Sequence, residues 1–174
     1  MGESKLNSRS QGPSEPDAVQ VIPLVDRLEH VRELAELHHA EWSHFSPSTT
    51  PQQRAEALEK AAGREGIPSL FIATLDGELV GSAALVEQDM KTRPDLTPWL
   101  AAVYVKERFR NQGIASSLIA RCEAEAARSG VTTWYLFTDS AADLYKKLGW
   151  RHMESCDYKG SRVDIMSRAI VSHR

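Results

Sequence analysis

The chain has 174 residues, of which 41% are hydrophobic and 26% charged, with a formal net charge of −3. That length buries a sizeable core in one domain, and the mild acidity excludes the basic face of a nucleic-acid binder. Two cysteines, Cys122 and Cys156, without a Cys-x-x-Cys pair, exclude a disulfide scaffold or structural zinc site and fit a reducing cytoplasm.

Residues 1–17 (MGESKLNSRSQGPSEPD) are polar and rich in Ser, Pro and Gly. They read as a flexible N-terminal tail ahead of a single domain over residues 18–174. No apolar run approaches the roughly 20 residues that cross a bilayer, so no membrane partner is expected. Residues 19–24 alternate as a first strand. Asp26 and Glu29 have capping-box spacing, and Leu28, Val31, Leu34, Leu37 and Trp42 follow at helical intervals. Thr50-Pro51 opens a second helix to about Ala62, since proline is tolerated at the first helical position. Residues 69–75 and 79–87 are strands joined at Asp76-Gly77, a pair that accepts the positive φ angles of a tight hairpin. Residues 88–98 (QDMKTRPDLTP) form a polar loop.

Residues 99–105 are continuously apolar, which predicts a strand covered on both faces. The helix after them carries Ile114, Leu118, Cys122 and Ala126 on one stripe and stops at Gly130. Residues 131–138 form a β-branched and aromatic strand. Residues 140–148 form a short helix, with Ser140 and Asp143 spaced as its capping box and Gly149 as its terminator. Residues 152–157 and 162–168 close the chain as a hairpin around Lys159-Gly160. The order β-α-α-β-β-β-α-β-α-β-β defines an α/β (α+β) fold with a mixed sheet.

Residues 103–119 (VYVKERFRNQGIASSLI) are the most informative stretch. A β-rich run ends in a basic, glycine-bearing turn that opens directly into an amphipathic helix. Such a junction aims unpaired backbone N–H groups and the positive end of the helix dipole at one spot, which suits a phosphate or pyrophosphate. Gly113 lets a ligand approach the backbone, and Arg110 adds positive charge. The turn lacks both the Gly-Lys-Ser/Thr ending of a nucleoside-triphosphate loop and the Gly-x-Gly-x-x-Gly of a dinucleotide fold.

The spacing Arg110-x-x-Gly113-x-Ala115 resembles the pyrophosphate-binding motif of the GCN5-related N-acetyltransferase (GNAT) superfamily. Leu144-Tyr145-Lys146-Lys147-Leu148-Gly149-Trp150 resembles a second signature of that family. The resemblance runs from about Leu70 to Ala169 and implies the acyl-CoA N-acyltransferase fold, with acetyl-CoA as cosubstrate and no metal. It assigns the diphosphate to Arg110, Asn111, Gln112, Gly113, Ile114, Ala115 and Ser116. It assigns the pantetheine arm to the main chain of Val103, Tyr104 and Val105, with the oxyanion stabilised by a backbone N–H of the same strand. The acceptor it implies is a small-molecule or peptide amine, and homodimers are frequent in the family.

Tyr145 matches the family's general acid. A phenol with a reference pKa of about 10 stays protonated at neutral pH and can donate to a departing thiolate. The base is open. The strands of residues 99–105 and 131–138 contain no carboxylate, and the family's frequent asparagine before the tyrosine helix is replaced by Thr138, Asp139 and Ser140. Glu41, Glu87, Asp89, Asp95 and a water relay all remain. The missing strand carboxylate gives weight to an alternative, a non-catalytic acyl-CoA-binding sensor or interaction module. The loop of residues 88–98 and the stretch 41–50 border the acceptor side, where Trp42, Phe45 and Trp99 are candidates for an aromatic wall. His38, His39 and His44 lack a His-Glu-x-x-His arrangement and are not read as metal ligands.

Overall fold

A computed structural model describes residues 18–171, so the tail expected at residues 1–17 lies outside the described residues. The elements in chain order are β1 (Gln20–Pro23), α1 (Val31–Trp42), α2 (Pro51–Ala61), β2 (Ser69–Leu75), β3 (Glu78–Val86), β4 (Trp99–Val105), α3 (Ile114–Arg128), β5 (Thr133–Thr138), α4 (Ala142–Lys147), β6 (Arg151–Tyr158) and β7 (Ser161–Ala169). This is the order expected from the sequence. One seven-stranded sheet runs β1-β2-β3-β4-β5-β7-β6. Every pairing is antiparallel except β4 with β5.

Alternation along the central strands sends side chains to two helical layers. Leu70 and Ile72 of β2 meet Leu34, Ala35 and Leu58 from α1 and α2 on one face. Phe71 and Ala73 meet Leu118, Cys122 and Ala126 from α3 on the other. The predicted stripe Ile114, Leu118, Cys122 and Ala126 is buried throughout. Both hairpins turn through paired left-handed residues, Asp76-Gly77 (φ 51 and 76) and Lys159-Gly160 (φ 47 and 82), which match the right-handed twist of their strands.

Two capping boxes read from the sequence do not form. Asp26 pairs with Arg64 and Glu29 with Arg27, so the chain passes through two 3-10 turns and α1 starts only at Val31, leaving Leu28 half exposed. At α4 the cap is Thr138, whose Oγ1 accepts from the amides of Ser140 (3.3 Å) and Ala141 (2.9 Å); Ser140 makes no such bond. At α2 a capping box not read from the sequence does form. Thr50 Oγ1 accepts from the Gln53 amide at 3.1 Å and the Gln53 side chain accepts from the Thr50 amide at 2.9 Å. Such caps contribute about 1 kcal/mol each.

Strand β4 departs from the doubly covered strand that its composition predicts. Trp99 and Leu100 are buried, but residues 101–104 are only half-buried. Trp99↔Tyr135 is the only register pair between β4 and β5, and beyond it the two strands splay apart. Opposite β3 the pairing passes from Ser82↔Tyr104 to Ala84↔Ala101, so Ala102 and Val103 lie in a β-bulge without register partners. Ala102 carries a φ of +53°, a conformation that costs a non-glycine residue on the order of 1–3 kcal/mol. These two distortions together open the middle of the sheet.

Candidate active site

The splay creates a cleft of about 460 Å³ that runs between β4 and β5 from one helical layer to the other. Val103 and Ala102 line one side, and Leu136, Phe137 and Thr138 the other. Tyr145 enters from α4, while Glu41, Trp42 and Phe45 enter from the end of α1 and the turn behind it. Gln88 and Asp89 come from the loop after β3, and Tyr158 and Lys159 from the β6–β7 hairpin.

The bulge is held by a buried polar chain. Ser82 Oγ donates to the Ala102 carbonyl at 2.8 Å and lies 2.8 Å from His38 Nε2. A hydroxyl has one proton, and here it goes to the carbonyl, so His38 is the donor through Nε2–H. His38 is 4% exposed. Burial, followed by the charge of Arg54, pushes its imidazole down to about 3, so the ring is neutral. His38 follows Leu34 and Ala35 at i+4 and i+3 on the buried stripe of α1, a spacing that marks it as inward-facing. Nothing in the sequence marks Ser82 as its partner or Ala102 as a left-handed residue.

Tyr145 is 7% exposed and packs edge-on against Trp150 at 6.1 Å. Burial pushes its phenol up to about 12, which keeps the hydroxyl protonated at any ordinary pH. Asp89 is half-buried at the cleft. Desolvation lifts its carboxyl to about 6 against the opposing pull of Lys159. Of the other carboxylates considered from the sequence, Glu41 lines the cleft, whereas Glu87 and Asp95 do not. Asp95 is engaged by Arg93 at 3.0 Å, and that pair holds it below the ordinary carboxylate value. Trp42 and Phe45 face the cleft, but Trp99 is fully buried, with its indole N–H donated to the Leu96 carbonyl at 2.7 Å. It belongs to the core and not to an aromatic wall.

The remaining expected residues lie outside the cleft lining. Tyr104 packs edge-on against His38 and Trp42, each at 6.1 Å. Val105 is buried beside Gly81, and its carbonyl accepts from Arg110 Nε at 2.9 Å. That bond ties the turn back to β4, so the Arg110 charge is oriented by the backbone. One 3-10 turn, Glu107–Phe109, separates β4 from the start of α3. Asn111 (φ 61) and Gly113 (φ 78) are left-handed and curl the chain into the helix.

The first intrahelical bond of α3 joins the Ser117 amide to the Gly113 carbonyl at 3.1 Å, so the amides of residues 114–116 precede any helical acceptor. A Cβ built on Gly113 meets nothing within 4 Å, which leaves open space above the turn. Ile114 turns its side chain into the core and offers only its backbone; Arg110, Asn111, Gln112 and Ser116 are exposed, and Ala115 is half-buried. A helix N-terminus of this form, with one flanking guanidinium and no side-chain cap, fits a diphosphate.

Residues 67–152, which hold β2–β5, α3 and α4, match the family model for the acetyltransferase (GNAT) domain. An uncharacterized N-acetyltransferase of Chlorobaculum tepidum, CT2212, is 27% identical over 90 residues, 52% of this chain and 54% of that protein. The chain thus matches about half the length of that curated relative. Ard1 of Thermoplasma volcanium superposes with a TM-score of 0.68 at 16% identity, covering 88% of this chain and 99% of that one. An aminoglycoside 6'-N-acetyltransferase complexed with coenzyme A gives 0.68 at 18% identity, with coverages of 90% and 99%. The putative acetyltransferase yncA of Salmonella typhimurium, solved with acetyl-CoA, gives 0.65 at 14% identity, with coverages of 90% and 96%. At these identities the structural likenesses speak for the fold, and the domain match names the family. Over residues 67–152, just under half of the chain, the match is to the acetyltransferase domain of the GNAT superfamily.

Proposed function

We propose that this protein is an acetyl-CoA-dependent N-acetyltransferase that moves the acetyl group directly to a primary amine within a ternary complex. The observation that carries this reading is the cleft through the splayed sheet, which joins the bulged edge of β4 and Tyr145 to Asp89. Acetyl-CoA, when bound, supplies an activated acyl carbon and a thiolate leaving group. Residues 110–116 would hold its diphosphate through main-chain amides, and the backbone of Val103, Tyr104 and Val105 its pantetheine arm as an added strand.

Amide donors at the bulge favour negative charge developing on the acyl oxygen, and they do so without reorganising, because Ser82 and His38 hold the bulge. Tyr145 acts on the departing sulfur. With its phenol near 12 and a thiol reference near 8.5, complete proton transfer from the free enzyme's tyrosine is uphill. Its part is therefore a hydrogen bond that strengthens as the thiolate forms. Asp89, as the carboxylate, accepts the amine proton directly or through one water. A carboxyl that ionises near 6 is a base at neutral pH without being inertly weak.

The missing strand carboxylate that favoured a non-catalytic acyl-CoA module is offset by Asp89, which reaches the cleft from a loop. With both cysteines free, the same reading suits a cytoplasmic enzyme. Calorimetric titration with acetyl-CoA, then incubation with an amine library while free thiol is followed, tests the proposal. Binding with turnover of at least one amine is the expected result. Binding without turnover of any amine selects the sensor, and absence of binding ends both readings.

A further inference from the structure

Arg54 of α2 lines the cleft on the α1/α2 side, half-buried among Trp42, Leu58 and His38. Its Nε donates to His39 Nδ1 at 3.3 Å and its Nη2 to the Trp42 carbonyl at 3.4 Å. Neither acceptor is a carboxylate, and no carboxylate among the described residues lies within ion-pair distance of it. Arg64, Arg93, Arg121 and Arg168, by contrast, each meet an acidic partner. A guanidinium has five N–H donors in a planar fork. Two are used here, and three remain.

Holding a partly desolvated cation without a counter-ion is costly, and the cost appears in the molecule. Burial lowers the Arg54 pKa, and its charge adds to the depression of His38. The diphosphate cradle proposed above does not account for Arg54, because α3 lies on the opposite face of the sheet. The cleft lining also carries the carboxylates of Glu41, Asp89 and Asp139, the last of them 2.9 Å from His44 Nε2. That set suits an amine, and it repels a dianionic phosphate more strongly than a monoanionic carboxylate. Lys159 lines the same cleft as a second cation, over the Tyr158 ring at 5.3 Å and close enough to Asp89 to pull on its carboxyl.

We propose that Arg54 is a specificity-determining residue that receives a carboxylate of the acceptor, so that the acceptor is an amine bearing a carboxylate, as an amino acid is. This rests on the N-acetyltransferase reading and names the substrate class of the same site. The planar fork binds the planar carboxylate and orients the molecule with its amine toward Asp89.

The test is a set of matched acceptors, the free amino acids and their C-terminal amides, assayed with the wild-type protein and with Arg54→Gln and Arg54→Lys. A charge-assisted hydrogen bond is worth about 1.5–3 kcal/mol, so the wild type should favour acids over amides by about 10- to 150-fold in kcat/KM. In Arg54→Gln that ratio should collapse toward one, with the loss falling on the acceptor KM; Arg54→Lys should recover part of it. If the variants do not fold, the wild-type ratio still decides. A wild-type ratio near one, a ratio that survives in Arg54→Gln, or a preference for amino phosphates over amino acids overturns the assignment while leaving the enzyme reading intact. Acetyl-CoA binding with no amine acetylated overturns both.

Discussion

His38 offers a quantitative test of the polar chain that holds the β4 bulge. Its imidazole is pushed down to about 3 from an ordinary 6.5, so its folded-state pKa lies below its unfolded one. Above pH 6.5 the ring is neutral in both states and its contribution to stability is complete. Between pH 6.5 and about 3 the unfolded chain binds a proton that the folded chain refuses. Stability then falls by about 1.4 kcal/mol for each pH unit. At pH 5 the expected loss from this one residue is about 2 kcal/mol, a large share of a typical domain's stability. Urea denaturation at pH 7.5 and pH 5, on the wild type and on His38→Gln, isolates the effect. Glutamine keeps an N–H to offer Ser82 but cannot titrate, and every other ionisable group cancels in the comparison. The gap between wild type and variant should close by about 2 kcal/mol from pH 7.5 to pH 5. Parallel losses in the two proteins would refute the buried neutral histidine, as would an imidazole NMR signal from His38 titrating near 6.5.

Tyr145→Phe removes the only hydroxyl that α4 brings to the cleft and should lower kcat about 10²-fold with little change in acetyl-CoA affinity; wild-type turnover would remove Tyr145 from the mechanism. For Asp89, whose carboxyl is lifted to about 6 by desolvation, the ionised form is the base. The kcat/KM profile should therefore rise to a plateau above about pH 6, and Asp89→Asn should lose that limb along with about 10²-fold of the rate. Cys122 is fully buried and its thiol is pushed up to about 12, while Cys156 is partly exposed. A thiol reagent at pH 8 should therefore modify one cysteine of the native protein and two in denaturant, and rapid labelling of both in the native state would contradict the packing of α3.

Local signals carried most of the fold into view. The period of α3 was legible because Ile114, Leu118, Cys122 and Ala126 repeat at one face. The hairpins were legible because Asp76-Gly77 and Lys159-Gly160 have few other conformations open to them. Capping was harder to read, because several polar side chains compete for the same orphan amides. Thr138 displaced Ser140 at α4, and a long-range pair with Arg64 withdrew Asp26 from α1. In the candidate site, the turn of residues 110–116 was readable from its glycine, its arginine and the helix behind it, whereas Tyr145 was singled out by the family signature it resembles. Asp89 and Glu41 stood among four equivalent carboxylates until the cleft set them apart from Glu87 and Asp95.

Local pattern was enough for the class of fold, the order of its elements and the basic glycine-bearing turn ahead of α3, since each follows from side-chain periodicity or from φ angles that a few residue types allow. Long-range packing separates β5 from β4 after one pair, places Ala102 in a bulge tied to Ser82, and brings His38, Arg54 and Asp89 to the gap. Distance along the chain explains the difference. His38 and Ser82 are 44 residues apart, and the environments that silence one histidine and raise one carboxyl are made by neighbours that no local pattern names.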